Sequence, residues 1–399
     1  VPEEPRLEDL YVFSERLRTG HPNLFFNMSE RAFHAAVGEL WQRAPSLSDG
    51  EFELELRKIL ARIGDPHTDM PLGSRPRIPV TFYPFEEGVA AVATANRYVS
   101  ALSMRLVSVD EVPIDRVIER LATVIPHRNR AQLLARYPDY LVAPGILYHL
   151  GIAQSPERIH YRFREEQGGL FTVPMEPVAP AVMPEMIQLN SRLGIHGENA
   201  PLGLRESSRL YWHEYDSSQQ LLYIRFDACR PDPEYAFGAF RSKIGRALGD
   251  RQVRNVVIDF RRNDGGDPSF LAPFIDQLSA ARDRGHRFAL YLLIGRHTSP
   301  AAVRNAVALE QQLGAQHVGE PSGGTPNYFG NVQSFRLPNL GQPVAYGTRF
   351  FGGISAEALT ADAAPNRGSL MPDIEAPPSL SARFMREDPA MAKIRFERN

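Results

Sequence analysis

The chain has 399 residues, 43% of them hydrophobic and 23% charged, with a formal net charge of −2. That length exceeds one ordinary core and points to two or three soluble, globular domains. The balanced charge excludes the basic signature of nucleic-acid or anionic-membrane binders, and no apolar run approaches the ~18 residues of a membrane span. The single cysteine, Cys229, excludes a disulfide within the chain and a cysteine-built metal site.

The opening VPEEPRLEDL lacks the basic-then-apolar pattern of a secretory leader. The expected compartment is cytoplasmic, or periplasmic or secreted if a leader has been removed. Of the 45 basic residues only Lys58, Lys243 and Lys393 are lysines, which leaves few candidates for a lysine general base. No feature of the sequence fixes an oligomeric state.

Residues 1–75 read as a bundle of three helices. Leu7, Leu10, Tyr11 and Leu17 share one face, and Phe33, Val37, Leu40 and Trp41 another. The third helix opens on the capping box Ser48-Asp49-Gly50-Glu51, carries Phe52, Leu56, Ile59, Leu60 and Ile63 at helical spacing, and stops at Gly64. Residues 76–205 form a mixed region. VAAVATA and ALSMRLVSVD read as strands, IDRVIERLATVI as a helix, and the proline-rich stretch 174–184 as a linker or excursion.

From 206 to 399 the pattern becomes α/β. LLYIRF, VVIDF and FALYLLIG read as strands, the last two apolar enough to be buried on both faces. Helices follow them, carrying Phe270, Leu271, Phe274, Ile275 and Leu278 in one and AAVRNAVALEQQLG in the next, before a short strand HVGE. Alternation of this kind implies a parallel sheet, whose sites form outside the carboxyl ends of its strands. RRNDGGD and RHTSP both fall at such ends.

Three places carry candidate chemistry. Gly265-Gly266 can turn the chain sharply and present N–H groups to an oxyanion, or can be a plain strand-to-helix turn. Ser299 before Pro300 has the form of an N-cap followed by a first-turn proline, and it also stands where a serine nucleophile gains from a helix dipole. His67 lies in GDPHTD, flanked by Asp65, Thr68 and Asp69, any of which could orient an imidazole. His297, two residues before Ser299, is a rival base with poorer expected geometry. No HExxH or comparable metal-binding spacing occurs, and no cofactor is expected. Asp259, inside a buried strand, requires a partner such as an arginine or a backbone cap.

In order along the chain, ILARIGDPHTDM, MRLVSVDEVPIDRVIERL, VVIDFRRNDGGD, VGEPSGGTPNYFG, SFRLPNLGQPVAYGTRFF and MPDIEA resemble the tail-specific, or C-terminal-processing, serine peptidase family. That family includes the tricorn core peptidase and shares its fold with interphotoreceptor retinoid-binding protein. The resemblance runs over nearly the whole chain. It implies a crotonase-like parallel-sheet catalytic domain preceded by the helical bundle and a mixed, PDZ-like region. It implies an oxyanion hole at Gly265-Gly266 and His67 as general base; the serine-hydrolase reading adds Asp65 or Glu320 to orient the imidazole. Members with a serine–lysine dyad carry lysine where this chain has Thr325, in Gly323-Gly324-Thr325-Pro326, so the dyad is excluded. Thr298, Asn327 and Tyr328 are expected to line the cleft, with a packed hairpin tyrosine as the alternative for Tyr328. Arg261 is expected either to meet substrate or, with Asn263, to brace the glycine bend.

One departure stands out. Relatives read Thr-Phe-Ser-Ser-Ala before a Val-x-Asn-Ala helix, whereas this chain reads Thr298-Ser299-Pro300-Ala301-Ala302 before Val303-Arg304-Asn305-Ala306. Pro300 thus takes the nucleophile position, and Ser299 lies one residue early. Proline offers neither nucleophile nor N–H. The expected function is a serine hydrolase acting on a peptide through Ser299. Two alternatives are an enzyme repurposed for base-plus-oxyanion chemistry on a small molecule and an inactive ligand-binding relative.

Overall fold

The computed structural model describes residues 4–165, 168–205, 207–250, 252–354 and 368–394. They form two compact units. One takes in the described residues up to Arg128, Arg136–Leu189 and Tyr328–Gly352. The other takes in Asn129–Ala135, the stretch from Asn190 to Asn327, and the residues from Gly353 onward.

The first unit begins with three helices whose ends are set locally. Glu4 accepts the Leu7 N–H at 2.8 Å ahead of Pro5–Gly20, and Ser29 accepts the Ala32 N–H at 3.2 Å ahead of Glu30–Arg43. Ser48 and Glu51 exchange both capping-box bonds at the start of Asp49–Ile63, and Gly64 ends that helix at φ +75°. Leu10, Leu17, Phe33, Leu40, Phe52, Leu56, Leu60 and Ile63 are buried together. The first stripe differs from the spacing in one respect: Tyr11 is 44% exposed and Phe13 is wholly buried. Phe13 continues the three-and-four spacing from Leu10 to Leu17, which centres the buried face one step away from Tyr11.

This helical core is completed by a distant hairpin. Strands Tyr328–Arg336 and Pro343–Phe351 pair antiparallel, and Leu337 and Val344 join the same buried cluster as the helices. Asp69 and Ala345 exchange backbone bonds of 3.1 and 2.8 Å, which fastens the chain just after the third helix to the hairpin. The unit also holds an antiparallel sheet in the order Val80–Phe85, Gly88–Ala95, Arg105–Val109, Ile159–Arg164, Leu170–Met175. The expected helix in this region runs Ile114–Ala122.

The second unit is built on a sheet ordered Ile374–Glu375, Gln316–Gly319, Ala289–Ile294, Asn255–Asp259, Leu221–Phe226, Tyr211–Asp216. All pairs are parallel except the last, which is antiparallel. Helices Phe237–Asp250, Ala272–Asp283 and Pro300–Leu313 pack their apolar faces on it, with Phe240, Phe274, Ile258, Leu292 and Val303 in one cluster. Side chains of this size contribute roughly 1.5–3 kcal/mol each when fully buried. Asp259 pairs in register with Leu293, so the carboxyl ends of the two central strands lie side by side. The segments RRNDGGD and RHTSP leave the sheet from there.

Buried Asp259 has its partners. Tyr223 Oη donates to it at 2.6 Å, and Arg261 donates from its backbone N at 2.9 Å and from Nη2 at 2.6 Å. Arg261 then reaches Asp388, 127 positions further along the chain, at 2.9 and 2.8 Å, so one guanidinium ties Asp259 to Asp388. Burial alone would raise the Asp259 pKa, but the Arg261 charge and hydrogen bonds outweigh it and hold the carboxyl below its usual range.

Among the described residues no helix is long and apolar enough to cross a membrane.

Candidate active site

In the second unit the site is organised by one buried carboxamide. Asn263 donates Nδ2–H to the Phe226 carbonyl at 3.0 Å. Its Oδ1 accepts the Gly265 N–H at 3.0 Å, the Ser299 hydroxyl at 3.1 Å and the Cys229 thiol at 3.6 Å. The backbone of Ser299 repeats the link, its N–H donating to the Asn263 carbonyl at 3.1 Å. The two segments leaving adjacent strand ends are therefore locked together through Asn263.

The glycine bend is demanded by its geometry. Gly265 and Gly266 have φ of +107° and +130°. A Cβ on Gly266 would stand 2.2 Å from the Cys229 carbonyl oxygen, while one on Gly265 would stand 3.5 Å from both Cβ and Oγ of Ser299. The serine hydroxyl thus lies directly over the Gly265 backbone. The Gly265 N–H is consumed by Asn263, whereas the Gly266 N–H has no partner among the described residues.

Ser299 is the N-cap of Pro300–Leu313, with Oγ accepting the Ala302 N–H at 3.4 Å. The turn in front of it is rigid. Thr298 is buried, donates Oγ1–H to the Phe260 carbonyl at 3.0 Å and accepts the Gly295 N–H at 2.9 Å. Both bonds use its side chain to hold the turn. Behind it, the Gly324 N–H donates to the Thr298 carbonyl at 2.8 Å, and a Cβ there would meet Pro300 N and Ser299 C at 2.4 Å. The loop that carries Thr325 is therefore a backbone buttress for the serine turn.

The remaining candidates of this unit are held by protein partners. Glu320 is paired with Arg296, whose Nε lies 3.0 and 3.1 Å from its two oxygens. Asn327 donates to the Ile354 carbonyl at 2.7 Å and accepts its N–H at 3.2 Å. Arg261 is committed to Asp259 and Asp388. Cys229, near the serine, is fully buried, and that burial pushes its thiol pKa up to about 12. It is no rival nucleophile.

In the first unit the candidate base sits in the turn Asp65-Pro66-His67-Thr68-Asp69. The Asp65 carboxylate is buried and surrounded by donors. Thr68 Oγ1 reaches Oδ2 at 2.5 Å, His21 Nε2 reaches Oδ2 at 3.3 Å, and the His67 backbone N–H reaches Oδ1 at 3.2 Å. His67 Nδ1 lies 3.8 Å from Oδ1. Burial would raise the Asp65 pKa. The hydrogen bonds from His21 and Thr68 and the nearness of His67 overcome this and place it well below the ordinary carboxylate range.

The His67 side chain is 31% exposed although its Nδ1 is enclosed, so the open edge of the ring is the Nε2 side. Its ring stands 5.9 Å from that of Tyr328, which is itself stacked on Phe351 at 4.9 Å. Tyr328 is buried in this stack and forms one wall beside the imidazole. A cavity of about 470 Å³ opens next to His67, lined also by Pro66, Asp69, Arg77, Arg136 and Tyr140. Asp69 is paired with Arg136.

Two residues of this arrangement carry no local signal in the sequence. His21 lies in Gly20-His21-Pro22-Asn23 at the end of the first helix, 44 positions before Asp65. Asp388, the second partner of Arg261, lies near the other end of the chain. Asn263 is legible only as a brace, and its bond to the Ser299 hydroxyl is not. Among the described residues, no group of three or more His, Cys, Asp or Glu is gathered to hold a metal ion.

The fold belongs to a known class. Mature CPAF complexed with lactacystin aligns over 96% of this chain and 95% of its own, at 13% identity and a TM-score of 0.64. A second structure of mature CPAF covers 96% and 94%, at 14% identity and a TM-score of 0.62. The photosystem II D1 C-terminal processing protease aligns more loosely, over 94% and 93%, at 15% identity and a TM-score of 0.44. No family model and no curated protein matches the sequence. At these identities the CPAF alignments establish a shared fold over nearly the whole length of both chains.

Proposed function

We propose that the chain is a serine hydrolase of the peptidase type. Ser299 attacks the carbonyl of a peptide substrate, His67 Nε2 takes the hydroxyl proton, Asp65 orients the imidazole, and the Gly266 N–H in the Gly265-Gly266 bend holds the oxyanion. The reading is carried by one observation: the Ser299 hydroxyl lies over Gly265, whose neighbour in the chain, Gly266, has an N–H without a partner among the described residues, and it stands at the positive end of a long helix. The order of motifs and the CPAF-like fold support it. On this reading the parallel-sheet unit is the crotonase-like part and the antiparallel sheet the PDZ-like part. Of the expected cleft residues, Tyr328 is a wall beside His67, while Thr298, Asn327 and Arg261 act by supporting the site.

A fluorophosphonate probe tests this on the full chain. Labelling of Ser299 that disappears in Ser299→Ala and falls strongly in His67→Ala is expected. A folded protein that takes no label would end the proposal.

A second reading is favoured by a separate observation. The Ser299 hydroxyl is doubly engaged, donating to Asn263 and accepting from Ala302. A serine occupied as a cap leaves His67 and Gly266 as a base and an oxyanion donor without a nucleophile, which suits proton abstraction next to a carbonyl in a small molecule. That reading requires Ser299→Ala to be nearly silent while His67→Ala is crippling.

A further inference from the structure

We infer that His21 is a positioning residue that aims the Asp65 carboxylate at His67; the inference rests on reading His67 as the base. The His21 side chain is fully buried, and its ring lies 4.5 Å from that of Phe329 and 6.5 Å from that of Phe26. Its Nδ1 accepts the Asn23 N–H at 3.1 Å, so the ring proton is on Nε2, the nitrogen that faces Asp65 Oδ2 at 3.3 Å. Because the His21 side chain is fully buried, bulk solvent does not replace this donor.

The consequence follows from how the carboxylate's two oxygens are divided. His21 and Thr68 both donate to Oδ2, which fixes the carboxylate plane. Oδ1 is then left to the His67 turn, bonded to its backbone N–H and facing Nδ1. A carboxylate held this way favours the neutral His67 tautomer protonated on Nδ1 and leaves the Nε2 lone pair on the open side. The sequence gives His67 its flanking aspartate. Only the fold supplies the histidine behind that aspartate.

Two variants separate the donor from the ring. His21→Phe keeps an aromatic ring between Phe26 and Phe329 and removes the donor, whereas His21→Gln keeps an N–H able to reach Asp65. The measurement is the ring ¹⁵N spectrum of the full chain, recorded with the imidazoles neutral. The other charged groups around the His67 cavity, Asp69, Arg77, Arg136 and Asp139, are the same in every variant. The expected result is an Nδ1–H tautomer in the native protein, a shift toward Nε2–H in His21→Phe, and retention of Nδ1–H in His21→Gln. An unchanged tautomer in His21→Phe, or an Nε2–H tautomer in the native protein, overturns the inference. If His21→Phe does not fold, His21→Asn, one methylene too short to reach Asp65, replaces it against His21→Gln. The tautomer is read whether or not Ser299 takes a label, so failure of the serine mechanism and failure of this inference are told apart. If Ser299 does label, the rate is expected to fall about 10- to 100-fold in His21→Phe and to recover in His21→Gln.

Discussion

Asn263 Oδ1 accepts both the Ser299 hydroxyl, at 3.1 Å, and the Gly265 N–H, at 3.0 Å. A single buried atom therefore sets the distance between the candidate nucleophile and the glycine bend. Replacing Asn263 by Ala leaves the Gly265 N–H and the Phe226 carbonyl buried without partners. Each such group costs roughly 1–3 kcal/mol. Urea unfolding is expected to show a loss of about 2–5 kcal/mol, and any labelling of Ser299 should fall in protein that remains folded.

The two glycines should respond differently to alanine. Gly266→Ala drives a Cβ into the Cys229 carbonyl at 2.2 Å in addition to its unfavourable φ, and should destabilise on the order of 3 kcal/mol or more. Gly265→Ala has 3.5 Å to the Ser299 side chain, so strain at φ +107° is its main cost, about 1–3 kcal/mol. Thermal unfolding of the pair checks the order. Equal losses would show that the close approach to Cys229 is not maintained.

Arg261→Met strips Asp259 and Asp388 of their shared cation. Leaving a buried charge uncompensated costs roughly 3–5 kcal/mol at neutral pH. Asp259, no longer held down by Arg261, should then titrate above its ordinary value because burial dominates. A group whose folded pKa exceeds the unfolded one, ~3.9, stabilises the fold as pH falls. The deficit relative to the native protein should therefore shrink between neutral pH and about pH 4, as read from urea midpoints.

Asp65 has the opposite sign. Its folded pKa lies well below the unfolded ~3.9, so its contribution is complete above that value and is lost as pH falls below it. Asp65→Asn removes the contribution at every pH. The native protein should lose its advantage over Asp65→Asn as pH drops below about 4, with the two curves converging in denaturant titrations.

Cys229 should be inert in the folded chain. With the thiol pushed up to about 12 by burial, only ~10⁻⁴ of it is thiolate at pH 8. A disulfide reagent is expected to react at the rate of unfolding, and fast stoichiometric reaction of the native protein would contradict the buried position.

The sequence by itself determined what neighbouring residues decide. Ser48 and Glu51 cap the third helix because the two partners are three positions apart, and Gly64 stops it because only glycine accepts that φ at little cost. The apolar runs fixed the central strands, and the glycine pair and the Ser299-Pro300 cap fell at strand ends where a parallel sheet puts them. The tertiary structure decided the partners. Arg261 could brace or bind until Asp388 closed on it, Glu320 could orient a histidine until Arg296 paired with it, and residues 328–352 left the parallel sheet to finish the helical core with Leu337 and Val344. His21 shows the limit most clearly: nothing beside it in the chain marks it, because a hydrogen bond between residues 44 positions apart depends on the packing angle of two helices and a turn. Local conformational preference is written over a few residues, whereas the charge that neutralises a buried group is chosen by whichever element the fold brings alongside.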